Sequence, residues 1–280
     1  MMKRKEVKRN MINDTKTTII SVEGLDCSFK ETNVAALKKQ LENDGYSVLS
    51  FDFPQYKKDS SYFVRQFLNN PDYRDPNPLT MEQCCKYCMY YAFDRYDTYI
   101  NDIKQYMGKV DIILFDRFVN SNLFNAARMM PNVDKVLDVV EWLYKFEYEL
   151  LKLPQEDISI FLRMPYEKAR IIRQAKAGKD LNEVDEELSK NVYSTYDLIY
   201  SKTNKDISNK NMKRISNLDG PHNYISINIG LDEIDFVKTL TDEAEREKSK
   251  ELIFTKIMDE SYIFIEACVQ RRKNYGKENN

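Results

Sequence analysis

A single histidine, a near-zero net charge and no apolar run long enough to cross a bilayer set the first limits on this 280-residue chain. With His222 alone, and distant from the Cys84, Cys85 and Cys88 group, no complete four-ligand zinc set is visible. The five cysteines are read as reduced core thiols. Neither charge sign is in excess, the formal balance being −2, so nothing global argues for a nucleic-acid partner and any phosphate affinity has to be local. The opening MMKRKEVKRN lacks the apolar core of a signal peptide, and residues 1–16 read as a basic, flexible tail on a soluble, cytoplasmic protein. No internal repeat is evident. At 42% hydrophobic residues the chain is long enough for one sizeable core, and an α/β domain with appended segments is expected.

The segment TTIISVEGLDCSFKET, residues 17–32, carries the most information. Thr18, Ile19, Ile20 and Val22 form the β-branched run that a strand covered on both faces requires. Gly24 then opens a tight turn before a helix beginning near Lys30. Such a strand, turn and helix place backbone N–H groups and a helix N-terminus around a phosphate, with a lysine reaching its outer oxygens. Measured against G-x-x-x-x-G-K-[ST], Gly24 and Lys30 fit, whereas Phe29 stands for the second glycine and Glu31 for the hydroxyl residue. On this segment alone, an ordinary strand-to-helix turn with an exposed lysine is about as good a reading.

Further along, Val34, Leu37 and Leu41 recur at helical spacing, Gly45 ends that helix, and Ser47 to Phe53 forms a second strand stopped by Pro54. That βαβ unit implies a parallel sheet. After a polar, proline-bearing stretch from Asn70 to Pro78, a long helix is predicted over Thr80–Met107 and a third buried strand over Val110–Phe115, ending in Asp116 and Arg117. Asp134–Leu151 reads as helix and Ile158–Leu162 as strand four. Glu167–Thr203 reads as two helices joined by a charged AGKD hinge of the kind a lid uses. A polar loop over Lys205–Pro221, an edge strand over Tyr224–Ile229 and an amphipathic helix over Glu243–Cys268 complete the chain.

In a parallel sheet, ligands sit at the carboxyl ends of the strands. Those ends carry the Gly24 turn, Phe53, Asp116 and Arg117, and, beyond strand four, the cations Arg170, Arg173, Lys176 and Lys179. A carboxylate such as Asp116 holds a magnesium ion through water, and Arg117 forks onto a phosphate, although a structural Asp–Arg pair has the same sequence appearance. Tyr91 and Arg95, four apart, project together from the long helix and suit a base that is stacked upon and hydrogen-bonded; they also suit plain surface decoration.

The segments EGLDCSFKET, FDFPQYKKDSS, YYAFDRYDTY, ILFDRFVNSN and DLNEVDEEL, in this order and spacing, resemble thymidylate kinases, most closely a clostridial-type branch, over about residues 17–230. The resemblance implies a three-layer P-loop kinase fold with a five-stranded parallel sheet, a lid and an extra C-terminal helix over 231–280. It implies a homodimer that moves the γ-phosphoryl of ATP onto dTMP with Mg²⁺, in dTTP biosynthesis. Carried over by position, Gly24, Cys27, Ser28, Phe29, Lys30, Glu31 and Thr32 would surround the ATP phosphates. Asp26, Phe53, Tyr56, Ser121, Asn122 and Asn125 would meet dTMP. Tyr91 would stack on thymine, Arg95 read its O4 and Arg117 grip the acceptor phosphate. Asp116, with Glu31 as a second candidate, would attend the metal, and Asp180 and Glu183 keep a lid pattern.

Four departures accompany the resemblance. Cys27 occupies a loop position where one class of the family has arginine, which leaves a lid Arg or Lys between 170 and 179, with Arg170 and Arg173 foremost, to supply the cation for the transition state. Phe29 is expected to strain or re-route the loop and to crowd the β-phosphate. Glu31 either ligates the metal or repels ATP. Asn125 and Ala126 replace side chains that the family presents to the sugar and base. Two functions therefore stand side by side, a working phosphotransferase and a nucleotide-binding homologue whose donor loop has decayed.

Overall fold

The computed structural model describes residues 16–25, 28–175, 185–200 and 208–278. The first strand, β1 (Thr18–Gly24), is buried along its whole length and leads into helix α1 (Lys30–Asn43) and strand β2 (Val48–Asp52). Helix α2 (Tyr62–Asn69) and the long α3 (Met81–Thr98) follow, then β3 (Ile112–Asp116), α4 (Val133–Tyr144), β4 (Ile158–Arg163), α5 (Tyr166–Ala175), α6 (Glu186–Tyr200), α7 (Asn209–Ser216), β5 (Tyr224–Asn228) and α8 (Glu243–Glu278). All four strand pairings are parallel, in the order β2-β3-β1-β4-β5. The chain leaves β1 to one side and returns on the other, so the ends of β1, β3 and β4 bound the crevice where such sheets hold ligands.

Alternation along the strands divides the core in two. Ile19, Ile113, Phe115 and Phe161 face a layer that includes residues of α2, α3, α4 and α6, while Ile20, Val22, Leu114 and Ile160 face one that includes residues of α1, α5 and α8. The three-layer α/β architecture with an extra C-terminal helix is as expected. Helix α3 starts from a capping box, with Thr80 accepting from the Gln83 amide and Gln83 reaching back to the Thr80 amide.

Several boundaries differ from the sequence reading, each for a local reason. The long third helix ends in a π-helical turn at Tyr99–Ile103 and a tight turn at Lys104–Tyr106, and α4 likewise passes into a π-helical turn at Lys145–Leu150. The stretch read as a loop after residue 205 contains α7, a short polar helix capped by Ser208 and held by Arg214, which ion-pairs with Asp134, Asp138 and Glu141. Helix α8 runs to Glu278, well past Cys268, because Arg272 is drawn into the core by Asp157, to which it donates from Nε at 3.0 Å and Nη2 at 2.7 Å. Asp157 also accepts from the Ile19 amide, 3.0 Å away, so the last helix is joined to the first strand.

Candidate nucleotide site

At the end of β1, Gly24 has no room for a side chain: a Cβ there would lie 2.5 Å from Ser28 Oγ. Five residues on, Phe29 caps α1 with φ 54° and ψ 23°, a left-handed conformation that costs a non-glycine residue of order 1 kcal/mol or more. The carbonyl of Phe29 accepts twice from Asn33, from its amide at 3.1 Å and from Nδ2 at 2.8 Å, which fixes the start of the helix. Among the described residues of the loop, the strain falls on Phe29. The Phe29 ring packs against Phe236, with centroids 6.2 Å apart, and against the apolar layer beside α1. The free N–H groups of the first turn of α1 remain as anion donors. Ser28 Oγ is buried without a hydrogen-bond partner among the described residues, a polar atom that a ligand in this loop would satisfy.

Lys30 reaches across to the end of β3, where its ammonium pairs with Asp116 Oδ1. Burial, followed by the neighbouring Arg117 charge, lowers the Lys30 pKa, and the Asp116 carboxylate opposes that shift. Arg117 itself sits at φ 67°, with its amide on the Val22 carbonyl at 3.0 Å and Nη1 on the Gly24 carbonyl at 3.0 Å. Beneath it, Glu23 is fully buried and accepts from the Phe118 amide at 2.8 Å and from Ser121 Oγ at 2.5 Å. Burial raises its carboxyl to about 7, against the lowering effect of those two hydrogen bonds and of Arg117 and Lys30. Glu23 therefore clips the loop after β3 onto the end of β1 and places Arg117 beside the Gly24 turn.

A cavity of about 140 Å³ opens next to Arg117. Phe53, Tyr56, Tyr91, Arg95, Ser121, Asn125 and, from α5, Arg173 line it, together with Asp94. Asp94 accepts from the Gln55 amide and from Ser60 Oγ, both at 2.7 Å, and so holds the segment after Phe53 over α3. Arg95 is turned into the core: it donates from Nε at 2.7 Å and Nη2 at 2.5 Å to the carboxylate of Glu147, and both side chains are essentially inaccessible. Asn122, although next to Ser121, does not line the cavity; its Nδ2 bonds Glu147 Oε1 and the Cys88 carbonyl, and its Oδ1 accepts from Asn125 Nδ2. Arg170 is also outside the lining and pairs with Glu167 on its own helix, whereas Arg173 approaches Glu186 at 3.9 Å. Asp26, Cys27, Lys176, Lys179, Asp180 and Glu183 lie outside the described residues.

Two loops and a cavity thus meet at the ends of β1 and β3, and the comparisons with known proteins follow that geometry. A family model described as thymidylate kinase matches residues 22–217. The chain belongs to the thymidylate kinase family. Among solved structures, it is similar to the thymidylate kinase from Candida albicans, with a TM-score of 0.51 and 16% identity over 84% of this chain and 93% of that chain. At that identity the likeness speaks for the fold. No curated protein matches the sequence. Three residues that organise this family member's site escaped the sequence reading: Glu23, Asn33 and Glu147. Glu23 has a visible signal, a carboxylate near the end of a strand that is buried along its whole length, which requires a dedicated partner.

Proposed function

We propose that the protein is a nucleoside monophosphate kinase that transfers the γ-phosphoryl of ATP to dTMP or a related pyrimidine deoxynucleoside monophosphate, as a step toward dTTP. The observation that carries this reading is the juxtaposition of Lys30, at the N-terminus of α1 and paired with Asp116, with Arg117, which lines the cavity. Lys30 and the first-turn amides of α1 would bind the donor phosphates; Arg117 would orient the acceptor phosphate, with Tyr91 against the base. An acceptor phosphate oxygen then bonds to the γ-phosphorus as the bond to the β,γ-bridging oxygen breaks and ADP leaves. That reaction needs positioned charge more than covalent help, so the protein's contribution is alignment and cations. Of the two lid candidates, Arg173 is supported by its place on the cavity wall.

The residues present suit magnesium. Among the described residues there is no cluster of three or more ligating side chains. Magnesium asks for little protein, taking one or two carboxylates while phosphates and water complete its shell. Asp116, with Glu31 in the first turn of α1, would hold it, and the ion would neutralise charge on the donor phosphates. A homodimer in the cytoplasm belongs to the same proposal, on family membership. No described helix is long and apolar enough to cross a membrane.

A coupled assay of ADP release with dTMP, dUMP and dCMP, run beside calorimetric titration with ATP, tests the reading. Acceptor-dependent ADP release that Lys30→Ala abolishes is the expected result. Tight dTMP binding with no ADP release under any of the three acceptors would leave a nucleotide-binding homologue without turnover.

A further inference from the structure

Phe29 presents a physical problem that the fold answers from outside the family-matched region. A left-handed residue directly before the phosphate-binding lysine is natural for glycine, and a phenylalanine there has to be held in place. Its ring packs against Phe236, which is buried, tilted at 51° to the Phe29 ring, and sited beyond residue 217, where the family match ends. The segment that carries Phe236 is itself anchored at several points. The Phe236 carbonyl accepts from Thr239 Oγ1 at 2.7 Å. Arg246 of α8 donates to the Thr239 carbonyl at 2.9 Å and to the Leu240 carbonyl at 3.2 Å. Helix α8 in turn buries Ile253, Ile257 and Ile265 in the same apolar layer as Val34, Leu37 and Leu41 of α1. From the other side, Lys168 of α5 sets its ammonium 5.8 Å from the Phe236 ring centre and donates to the carbonyls of Gly230 and Leu231 at 2.7 and 3.2 Å and to Asp232 at 2.8 Å.

We infer that Phe236 is a positioning residue for the donor loop: the C-terminal segment braces the Phe29 ring, keeps the loop in its phosphate-binding conformation, and links it through Lys168 to the helix that carries Arg173. This rests on the reading of residues 24–32 as the donor loop. Phenylalanine at position 29 and the C-terminal segment then form one unit, each explaining the other. A loop with glycine at 29 needs no brace, and a chain with the brace tolerates the aromatic residue.

The test is a double-mutant cycle of Phe29→Gly and Phe236→Ala with three readouts: ATP affinity, dTMP affinity, and amide hydrogen exchange over residues 28–33. Phe236→Ala is expected to speed exchange over that stretch by about tenfold and to weaken ATP binding roughly two- to tenfold, while dTMP affinity holds. Adding Phe29→Gly to Phe236→Ala is expected to restore ATP binding, since glycine adopts the left-handed conformation unaided. A double variant as weak as Phe236→Ala, equal loss for both nucleotides, or unchanged exchange would overturn the brace. Should Phe236→Ala fail to fold, Phe236→Leu retains the buried volume without the ring contact and the same glycine rescue applies. Faster exchange in a protein whose parent binds dTMP but no ATP would uphold the brace and remove the donor-loop reading instead.

Discussion

Replacing Arg95 by alanine should destabilise the protein strongly before it informs about the base. The guanidinium and the Glu147 carboxylate are 1% and 0% exposed, are joined by two hydrogen bonds, and share Glu147 Oε1 with Asn122 Nδ2 at 3.1 Å. Arg95→Ala leaves a buried carboxylate with one neutral donor and a void the size of the side chain. Breaking a buried ion pair by removing one partner costs about 3–5 kcal/mol, a large share of the roughly 5–15 kcal/mol that holds a domain together. Trp142, the chain's single tryptophan, stacks on Phe146 at 5.0 Å within the helical run that carries Glu147, so its fluorescence during urea denaturation reports on this region. With a urea slope of about 1–3 kcal/mol per molar, the midpoint should fall by at least about 1 M. Replacing both partners by leucine should recover much of the loss, because the stranded charge is gone. An Arg95→Ala protein with an unchanged midpoint and a selective loss of dTMP affinity would refute this and return Arg95 to the role of base reader.

Three further outcomes are expected. Burial raises the Glu156 carboxyl from its ordinary 4.5 to about 8, so the folded state keeps a proton that the unfolded chain releases; its contribution is fully present below about 4.5 and is lost as pH climbs through 8. Glu156→Gln should remove that slope and stabilise the protein at pH 8.5 by of order 3 kcal/mol relative to pH 5, and parallel denaturation curves for the two proteins at both pH values would argue against it. Gly24→Ala puts a methyl group onto Ser28 Oγ and should weaken ATP binding by roughly tenfold or more with little change for dTMP, and adding Ser28→Ala should recover part of the loss in the same titration. A chain cut after residue 242 loses α8, leaves Asp157 without Arg272 and exposes the apolar layer over Ile20; it should show no cooperative unfolding transition, and a transition at the parent midpoint would mark α8 as an appendage.

How far the sequence could be read depended on whether a residue's role was set along the chain or across it. Strands β1, β3 and β4 announced themselves, because burial on both faces demands unbroken β-branched and apolar runs and leaves sharp polar ends. The candidate positions beside those ends, Gly24, Lys30, Asp116 and Arg117, could be placed next to one another for the same reason, and the structure brings them together. Helix α7 was not legible, since Met212 and Ile215 are its only apolar residues, too short a stripe to stand out, and the ion pairs of Arg214 that hold it to α4 lie across the chain. Glu147 falls on the buried face of its helix, four residues after Leu143, but its partner Arg95 lies 52 residues away on another helix, and nothing along the chain pairs the two. Arg170 and Arg173 look interchangeable in sequence, and only the packing of α5 directs one to the cavity and the other to Glu167. The expected crowding of a phosphate by Phe29 assumed a ring over the loop, whereas the contact with Phe236, more than two hundred residues later, draws it into the apolar layer.

The junction of Asp157 with both Ile19 and Arg272 has a consequence for the order of assembly. Asp157 precedes β4, the neighbour of the central strand β1; its Oδ2 takes a proton donor from the second residue of β1, and its Oδ1 takes the guanidinium near the end of α8. A chain emerging from the ribosome has β1, β3 and β4 available long before α8, and until Arg272 arrives the middle of the sheet holds a carboxylate without its counter-charge and an uncovered apolar face. Contacts closed over so many residues are slow to form and are the last to be rewarded. Completion of this fold is therefore gated by α8, and a chain that stops short of Arg272 carries the whole sheet and both crevice loops yet cannot close its core.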